Sequence, residues 1–240
     1  MKTLNTIKAL DGFGRWLLPV AAAFLATLTA HAQRITAGHL NAGAFSTNAG
    51  SQLTFANGIV FALESGYVQM DLATTGMYSG YYGSGPSITA LPQTVPFGGP
   101  NPTAPSLGSF IELSMTLQSA PEGGSFAFWD TDATAPTFSL SLVGSTSGTW
   151  NLSGGEENPT AGTPGGDPFG HIHGRRFTAT TPGEYVIGFQ AFDTSANGAQ
   201  HTPSDMLQVR FVAVPEPATA TLAMLGGVLA VGWVFCRRFE

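Results

Sequence analysis

The residues most able to do chemistry are two histidines separated by one residue, His171 and His173, in the segment Gly170–Gly174. Side chains at positions i and i+2 of an extended strand point to the same face, so both imidazoles can reach one metal ion. Imidazole binds zinc and copper in its neutral form, which predominates at pH 7. The spacing therefore indicates a candidate zinc site, with copper as the competing metal because imidazole affinity alone favours it.

A zinc ion needs a third and often a fourth protein ligand or a water molecule. After the predicted leader, the chain has only two other histidines, His39 and His201. We expect the connection that carries His201 to fold back over the pair, and His39, water or a carboxylate to complete the set. The predicted ligands are thus His171, His173, His201 and His39. The alternative is that the histidine pair only fills a loop.

Other groups of reactive residue types are weaker signals. The segment Asp130–Asp132 resembles the start of a calcium loop, but no downstream glycine and glutamate complete the pattern. The carboxylates of Glu156, Glu157 and Asp167 could form a pair for glycoside hydrolysis, but the sequence does not determine their separation. No Gly-x-Ser-x-Gly elbow and no His-Glu-x-x-His helix occurs. We therefore expect no enzyme, and an exported hydrolase is the least favoured alternative.

The elements that must position these residues are predicted to be strands, because apolar and polar residues alternate with period two. The clearest alternation lies at 111–117, 138–142, 185–189 and 207–211, and weaker strands are predicted at 53–62, 67–72, 87–91, 125–129 and 149–152. Glycine and proline clusters separate these segments, as in a sandwich. The sequence predicts an all-β fold, a single β-sandwich of the jelly-roll or Ig-like kind over residues 33–213. The strand near Tyr185 is expected to return beside the histidine pair.

The N-terminus has the order of regions that is typical of a signal peptide. Basic residues precede an apolar stretch at 16–30, and Ala30-His31-Ala32 provides small residues around a cleavage site. We predict a signal peptide, containing a signal helix, over residues 1–32. The alternative is an uncleaved first transmembrane helix.

The C-terminus contains a second hydrophobic segment. Val214-Pro215-Glu216-Pro217 precedes an uncharged apolar run at 218–235, and Arg237 and Arg238 follow it. A run of about 18 apolar residues is just long enough to span a bilayer as a helix, and positive charge marks its cytoplasmic end. We predict a transmembrane helix at 218–235, with the body of the protein facing the periplasm or the cell exterior.

Charge and cysteine content narrow the function classes further. The formal net charge is −6, and no lysine occurs in residues 33–213. An acidic body without a basic stripe excludes nucleic acid as the expected partner. The one cysteine, Cys236, follows the predicted span, so the predicted exported part has neither a disulfide nor a thiol nucleophile.

The short proline motif, the minimal span and the basic tail together resemble the PEP-CTERM sorting signal of exported bacterial proteins. The resemblance covers the sorting segment 214–240 and implies that Pro215-Glu216-Pro217 is recognised by an exosortase-type enzyme, with release to the cell surface or matrix after cleavage. It also implies an association with the exopolysaccharide layer, so a structural matrix protein without a metal site is the main alternative function. A plain tail anchor is the alternative to a sorting signal.

Gly170-His171-Ile172-His173, followed by the segment Phe177–Tyr185, resembles the end of choice-of-anchor M, or surface-anchored repeat, domains. Those domains have His-x-His, an aromatic residue, Pro-Gly-x-Tyr, a small-residue turn and a last apolar strand. An N-terminal Gly-His, here Gly38-His39, also recurs in them. This chain departs from the pattern where Phe177 replaces a tryptophan, with one extra residue before it. The resemblance, with the link of some relatives to zinc supply, implies a metal-binding surface module.

Overall fold

The computed structural model describes residues 33–36, 38–91, 104–154 and 158–215. The predicted signal peptide, the predicted span 218–235 and most of the proline motif lie outside these residues. Among the described residues, no helix has the length and apolar character needed to cross a membrane.

The described chain is built from strands, and the all-β prediction is confirmed. The strands are β1 His39–Ala44, β2 Leu53–Phe55, β3 Val68–Leu72, β4 Tyr82–Ser84, β5 Ser87–Ala90, β6 Ile111–Ser119, β7 Phe126–Trp129, β8 Phe138–Leu140, β9 Trp150–Asn151, β10 Arg176–Ala179, β11 Gly183–Asp193 and β12 Leu207–Val214. A four-residue helix, α1 (Gly58–Phe61), follows β2 where the sequence predicts a continuing strand.

The strands form two sheets of unequal size. A nine-stranded sheet has the order β8-β7-β10-β4-β3-β12-β11-β6-β9, and a three-stranded sheet has the order β2-β1-β5. In the small sheet β1 pairs with β2 antiparallel and with β5 parallel. This nine-plus-three division is more unequal than the two matched sheets of the expected jelly-roll or Ig-like sandwich.

Both sheets contribute to one hydrophobic core. Leu40 and Leu53 of the small sheet belong to the same buried cluster as Phe126, Phe177 and Phe211 of the large sheet. The aromatic rings pack with centroids 4.9 Å apart for Phe126 and Phe211 and 5.9 Å apart for Phe177 and Phe211, in the range of favourable ring pairs. The small sheet therefore packs on the large one.

The alternation pattern identifies core positions correctly in the long strands. Leu113, Leu140, Ile187 and Val209 are all buried, as predicted. Leu142 is an exception, because β8 ends at Leu140 and the Leu142 side chain is 72% exposed. The chain leaves β8 there in a turn that continues along β6, so the alternation no longer follows a buried face.

The expected hairpin between the histidine segment and the strand near Tyr185 is wrong. β10 pairs with β4 and β7, whereas β11 pairs with β6 and β12. On both edges, β11 pairs over more residues than the four residues of β10 could provide. The chain therefore crosses to another part of the same sheet after β10.

Candidate metal centre

Three of the four histidines predicted as ligands lie together. The ring centroids of His171 and His173 are 4.3 Å apart, and those of His39 and His171 are 5.4 Å apart. The three rings come from two segments that are distant in sequence, the start of β1 and the connection that leads into β10. We name His39, His171 and His173 the histidine cluster.

Strand β5 brings the two segments together. His39 pairs with Ser87 on one edge of β5, and Gly170 makes an antiparallel bridge to Ala90 at its end. His171 and His173 follow Gly170 in irregular extended chain rather than on a strand, which corrects the sequence prediction. The two histidine segments are therefore held on either side of one strand.

Gly170 is required by a close approach of two backbones. It also bridges Gly154, and a Cβ atom at this position would collide with the carbonyl oxygen of Leu152. Only glycine lets the chain pass this point without displacing its neighbour. The position of the histidine pair therefore depends on a residue without a side chain directly before it.

Side chains from neighbouring loops hold the backbone of the cluster. Thr131 Oγ1 donates a hydrogen bond of 2.6 Å to the carbonyl oxygen of His173. Asn57 Nδ2 donates one of 2.7 Å to the carbonyl oxygen of His39, and its Oδ1 accepts the amide of Asn41 at 2.8 Å. These contacts fix the backbone of His39 and His173.

The cluster lies at the surface rather than in the core. His173 is exposed, and His39 and His171 are half-buried. A small cavity of about 60 Å³ beside the cluster is lined in part by Ser87, His173 and Arg175. Solvent and ions can thus reach the rings without opening the fold.

Arg175, which lines the same small cavity as His173, already has an acidic partner. Arg175 Nε forms an ion pair of 2.7 Å with Asp130 Oδ1, and its terminal nitrogens donate to the carbonyl and side-chain oxygens of Asn151. A cation beside His173 is therefore opposed less than the sequence pattern His-x-His-Gly-Arg-Arg suggests. The ion pair also engages the first carboxylate of the segment Asp130–Asp132.

His201 lies elsewhere and does something different. It is 4% exposed, its Nε2 accepts the amide of Ser106 at 2.8 Å, and its Nδ1 lies 2.9 Å from the carbonyl oxygen of Ser51. A carbonyl can only accept, so this hydrogen-bond network assigns the proton to Nδ1. Both ring nitrogens hold loops together, and neither faces the cluster.

The length of β1 separates the surroundings of His201 from the histidine cluster. His39 begins β1, whereas Ser51 lies beyond the other end, where Ala44 pairs with Leu53. The length of β1 alone is roughly 16 Å at about 3.3 Å per residue. The structure therefore does not bring His201 to the other three histidines, contrary to the expected folding back of its connection.

Asp193 is a structural residue that the sequence analysis missed. Its Oδ1 accepts the amides of Phe110 and Ser195, and its Oδ2 accepts those of Gln200 and His201. An aspartate at a strand end, followed by Thr and Ser, is a pattern for such side-chain to backbone bonds. This carboxylate fixes the connection after β11 and so directs His201 away from the cluster.

Within the described ranges, no group of three or more His, Cys, Asp or Glu residues is already arranged to hold a metal ion. Among the predicted carboxylates, Asp167 Oδ1 accepts the amide of Phe169 at 2.9 Å, and Glu156 and Glu157 fall outside the described residues. Metal binding by the histidine cluster therefore requires the rings to turn.

The comparisons with known proteins identify the class of the C-terminal segment. The chain carries a sorting signal of exported proteins: residues 213–238 match the model of the PEP-CTERM protein-sorting motif. That match supports a protein that is exported, directed to the cell surface and processed by an exosortase-type enzyme. Neither the curated proteins nor the solved structures contain a match. The resemblance of the body to choice-of-anchor M domains stays a prediction.

Proposed function

We propose that this exported, surface-directed protein is an all-β module that binds one transition-metal ion, zinc, through His39, His171 and His173. The observation that carries the proposal is the approach of the three rings from two distant segments. His201, which the sequence analysis includes in the ligand set, is left out because both its nitrogens are used by backbone groups.

The ring separations suit a shared ion. Two imidazoles bound to one tetrahedral zinc ion at about 2.0–2.1 Å place their ring centres about 5 Å apart. The centroid distances of 5.4 and 4.3 Å lie on either side of this value. Binding requires small rotations about the side-chain torsions that bring one nitrogen of each ring to a common point.

Zinc fits this donor set better than copper for a geometric reason. Zinc has no preference from d electrons and accepts three imidazoles with a water molecule as the fourth ligand. Copper binds imidazole more tightly but favours square-planar or tetragonal arrangements. No cysteine occurs in residues 33–213 to provide a thiolate, so nitrogen and oxygen are the available donors there.

The test is calorimetric titration of the full chain, purified without added metal, with zinc chloride at pH 7. We expect one zinc ion per chain. His171→Ala combined with His173→Ala should lower the affinity at least a hundredfold, and His39→Ala at least tenfold, because each change removes a ligand.

His201→Gln is the matched control. It removes one histidine but keeps an acceptor near the position of Nε2 for the Ser106 amide. Its zinc affinity should equal that of the wild type. Equal affinity in the double variant and the wild type would reject the metal proposal, and a loss confined to His201→Gln would assign the wrong ligand set.

The sorting motif has its own test. We expect Glu216→Ala to leave the protein in the membrane as the longer form, because the change disrupts the central residue of Pro215-Glu216-Pro217. Mass and location are measured in membrane and surface fractions, with Thr219→Ala as the control. The same mass and location for wild type and Glu216→Ala would reduce this segment to a simple anchor.

A second candidate function is that of a structural protein of the exopolysaccharide layer, in which the contacts of His171 with His39 and His173 are packing contacts only. The two candidates differ in the zinc titration, since a structural protein gives no saturable heat at equimolar zinc.

A further inference from the structure

The last described strand ends on one particular edge of the molecule. β12 runs from Leu207 to Val214, and Pro215 is the final described residue. β6 runs parallel to β12, because both are antiparallel to β11. The Ser119 end of β6 and the Val214 end of β12 therefore lie at the same end of the large sheet, which we name the exit end.

A loop with two exposed apolar side chains lies at this end. Leu142 is 72% exposed and Val143 is 65% exposed. The residues that follow them run antiparallel along β6: Gly144 donates to the carbonyl oxygen of Leu117, and Thr146 bridges Thr116. Continuing this register places Leu142 and Val143 beside the Ser119 end of β6.

Hydrogen bonds hold this loop in a tight turn. The Ser145 amide donates to the carbonyl oxygen of Leu142 at 3.0 Å, and the Leu117 amide donates to that of Ser145 at 3.0 Å. Gly144 adopts φ = +88°, which favours glycine. The two apolar side chains are thus presented by an ordered turn joined to the main sheet.

The loop's own segment of the sequence is uncharged. No Asp, Glu, Lys or Arg occurs from residue 133 to residue 155, although the chain as a whole has a net charge of −6. A second apolar surface lies around Ile59 and Met206, where Asp205 lines the same groove. It also contains Leu207, at the start of β12, so it lies at the end of the sheet opposite Val214.

We propose that Leu142 and Val143 are a membrane-contact element that seats the exit end of the domain on the lipid bilayer. The occupant follows from where the chain goes next: the uncharged apolar run begins at Ala218, three residues after Pro215. Three residues span at most about 10 Å, so a bilayer that holds the predicted span lies close to the exit end. An uncharged, apolar turn gains free energy on entering the lipid interface.

This contact has a consequence for processing. A domain that contacts the bilayer through Leu142 and Val143 holds Pro215, the first residue of the motif, at a fixed distance from the membrane in which the processing enzyme acts. The proposed membrane contact is made by apolar side chains rather than by the histidine cluster, and it does not depend on metal binding.

The test uses the full chain with Cys236→Ser, reconstituted in phosphatidylcholine vesicles with a chelator present. Single cysteines at Val143→Cys and Ile59→Cys are labelled with the environment-sensitive fluorophore NBD. Ile59 is the matched control because it is 82% exposed and apolar but lies on the groove at the opposite end. Quenching by spin-labelled lipid should be at least about threefold stronger at Val143 than at Ile59, because lipid contact requires depth in the interface.

A second set of variants controls for insertion of the loop into lipid by the fluorophore at position 143. The fluorophore is moved to Ser141→Cys, and Leu142→Asn with Val143→Asn is compared with the unchanged loop. Quenching should fall at least about threefold in the doubly substituted chain. Equal quenching with and without the two asparagines, or equal quenching at positions 143 and 59, or no association with the vesicles, overturns the proposal.

Discussion

The histidine cluster and His201 use the same side chain in opposite ways. In the cluster, the ring of His171 contacts those of His39 and His173, and loop side chains bond to the backbone of His39 and His173. His201 is buried, and its two ring nitrogens join Ser51 and Ser106, two parts of the chain far apart in sequence. A histidine whose ring nitrogens bond to backbone groups stabilises the fold, whereas histidine rings that lie together near the surface are placed to share a ligand.

The largest expected effect comes from removing His201. His201→Ala leaves the buried Ser106 amide without its acceptor, and a buried unsatisfied group costs about 1–3 kcal/mol. The Ser51 carbonyl keeps the Thr202 amide as a donor. We expect a loss of about 2 kcal/mol in the free energy of unfolding, measured by urea denaturation with a chelator present. His173→Ala is the control, because His173 is exposed and its removal should cost less than about 0.5 kcal/mol. The same loss in both variants would remove the distinction between the two regions.

Gly170→Ala should affect the cluster strongly. The added Cβ collides with the carbonyl oxygen of Leu152, so the chain before His171 must move. We expect at least a tenfold loss of zinc affinity, which is about 1.4 kcal/mol, measured by calorimetry. Gly198→Ala is a control for backbone strain, because its φ is +96° and nothing lies near its added Cβ. Unchanged zinc affinity in Gly170→Ala would show that the position of the pair does not matter for binding.

Lowering the pH should release zinc from the histidine cluster. Protons compete with zinc for neutral imidazole, so the bound state holds fewer protons and the affinity falls as the pH falls. We expect binding to weaken below about pH 6, where free histidine becomes mostly protonated. Calorimetry between pH 5 and pH 7, with circular dichroism at each pH to show that the fold persists, checks this. An affinity that does not change over this interval would exclude imidazole ligands.

Thr131→Val should have the smallest effect. It removes the hydrogen bond to the carbonyl oxygen of His173 but keeps the shape of the side chain. A hydrogen bond of this kind contributes about 0.5–1.5 kcal/mol, so we expect a loss of roughly threefold to tenfold in zinc affinity. Thr134→Val, at an exposed position in the same connection, is the control. Equal affinities for Thr131→Val and Thr134→Val would limit the role of Thr131 to the fold.

The sequence predicts the long strands because their own apolar residues alternate in a way that indicates which side chains are buried. β6, β11 and β12 alternate apolar with polar or small residues, and the predicted positions Leu113, Ile187 and Val209 are buried. β1, β4 and β10 are missed because they lack a bulky alternating pattern. Their stability comes from pairing with strands distant in sequence, which propensity alone does not reveal.

The candidate site is predicted in its residue types and only partly in its arrangement. His171 and His173 are adjacent because of their spacing, and this holds although they lie outside a regular strand. The approach of His39 depends on the parallel pairing of β1 with β5, a contact between distant segments. His201 lies away from the cluster because the Asp193 carboxylate accepts four backbone amides, one of them that of His201. The spacing of the histidines does not indicate these hydrogen bonds.

The most direct test of the central claim is to count the imidazoles on the bound metal. Full-length protein loaded with one equivalent of zinc at pH 7 is measured by X-ray absorption at the zinc edge. The account predicts three histidine nitrogens per zinc at about 2.0 Å in the wild type and two in His39→Ala. One imidazole or none per zinc, a sulfur ligand, or the same count in His39→Ala and the wild type would contradict it.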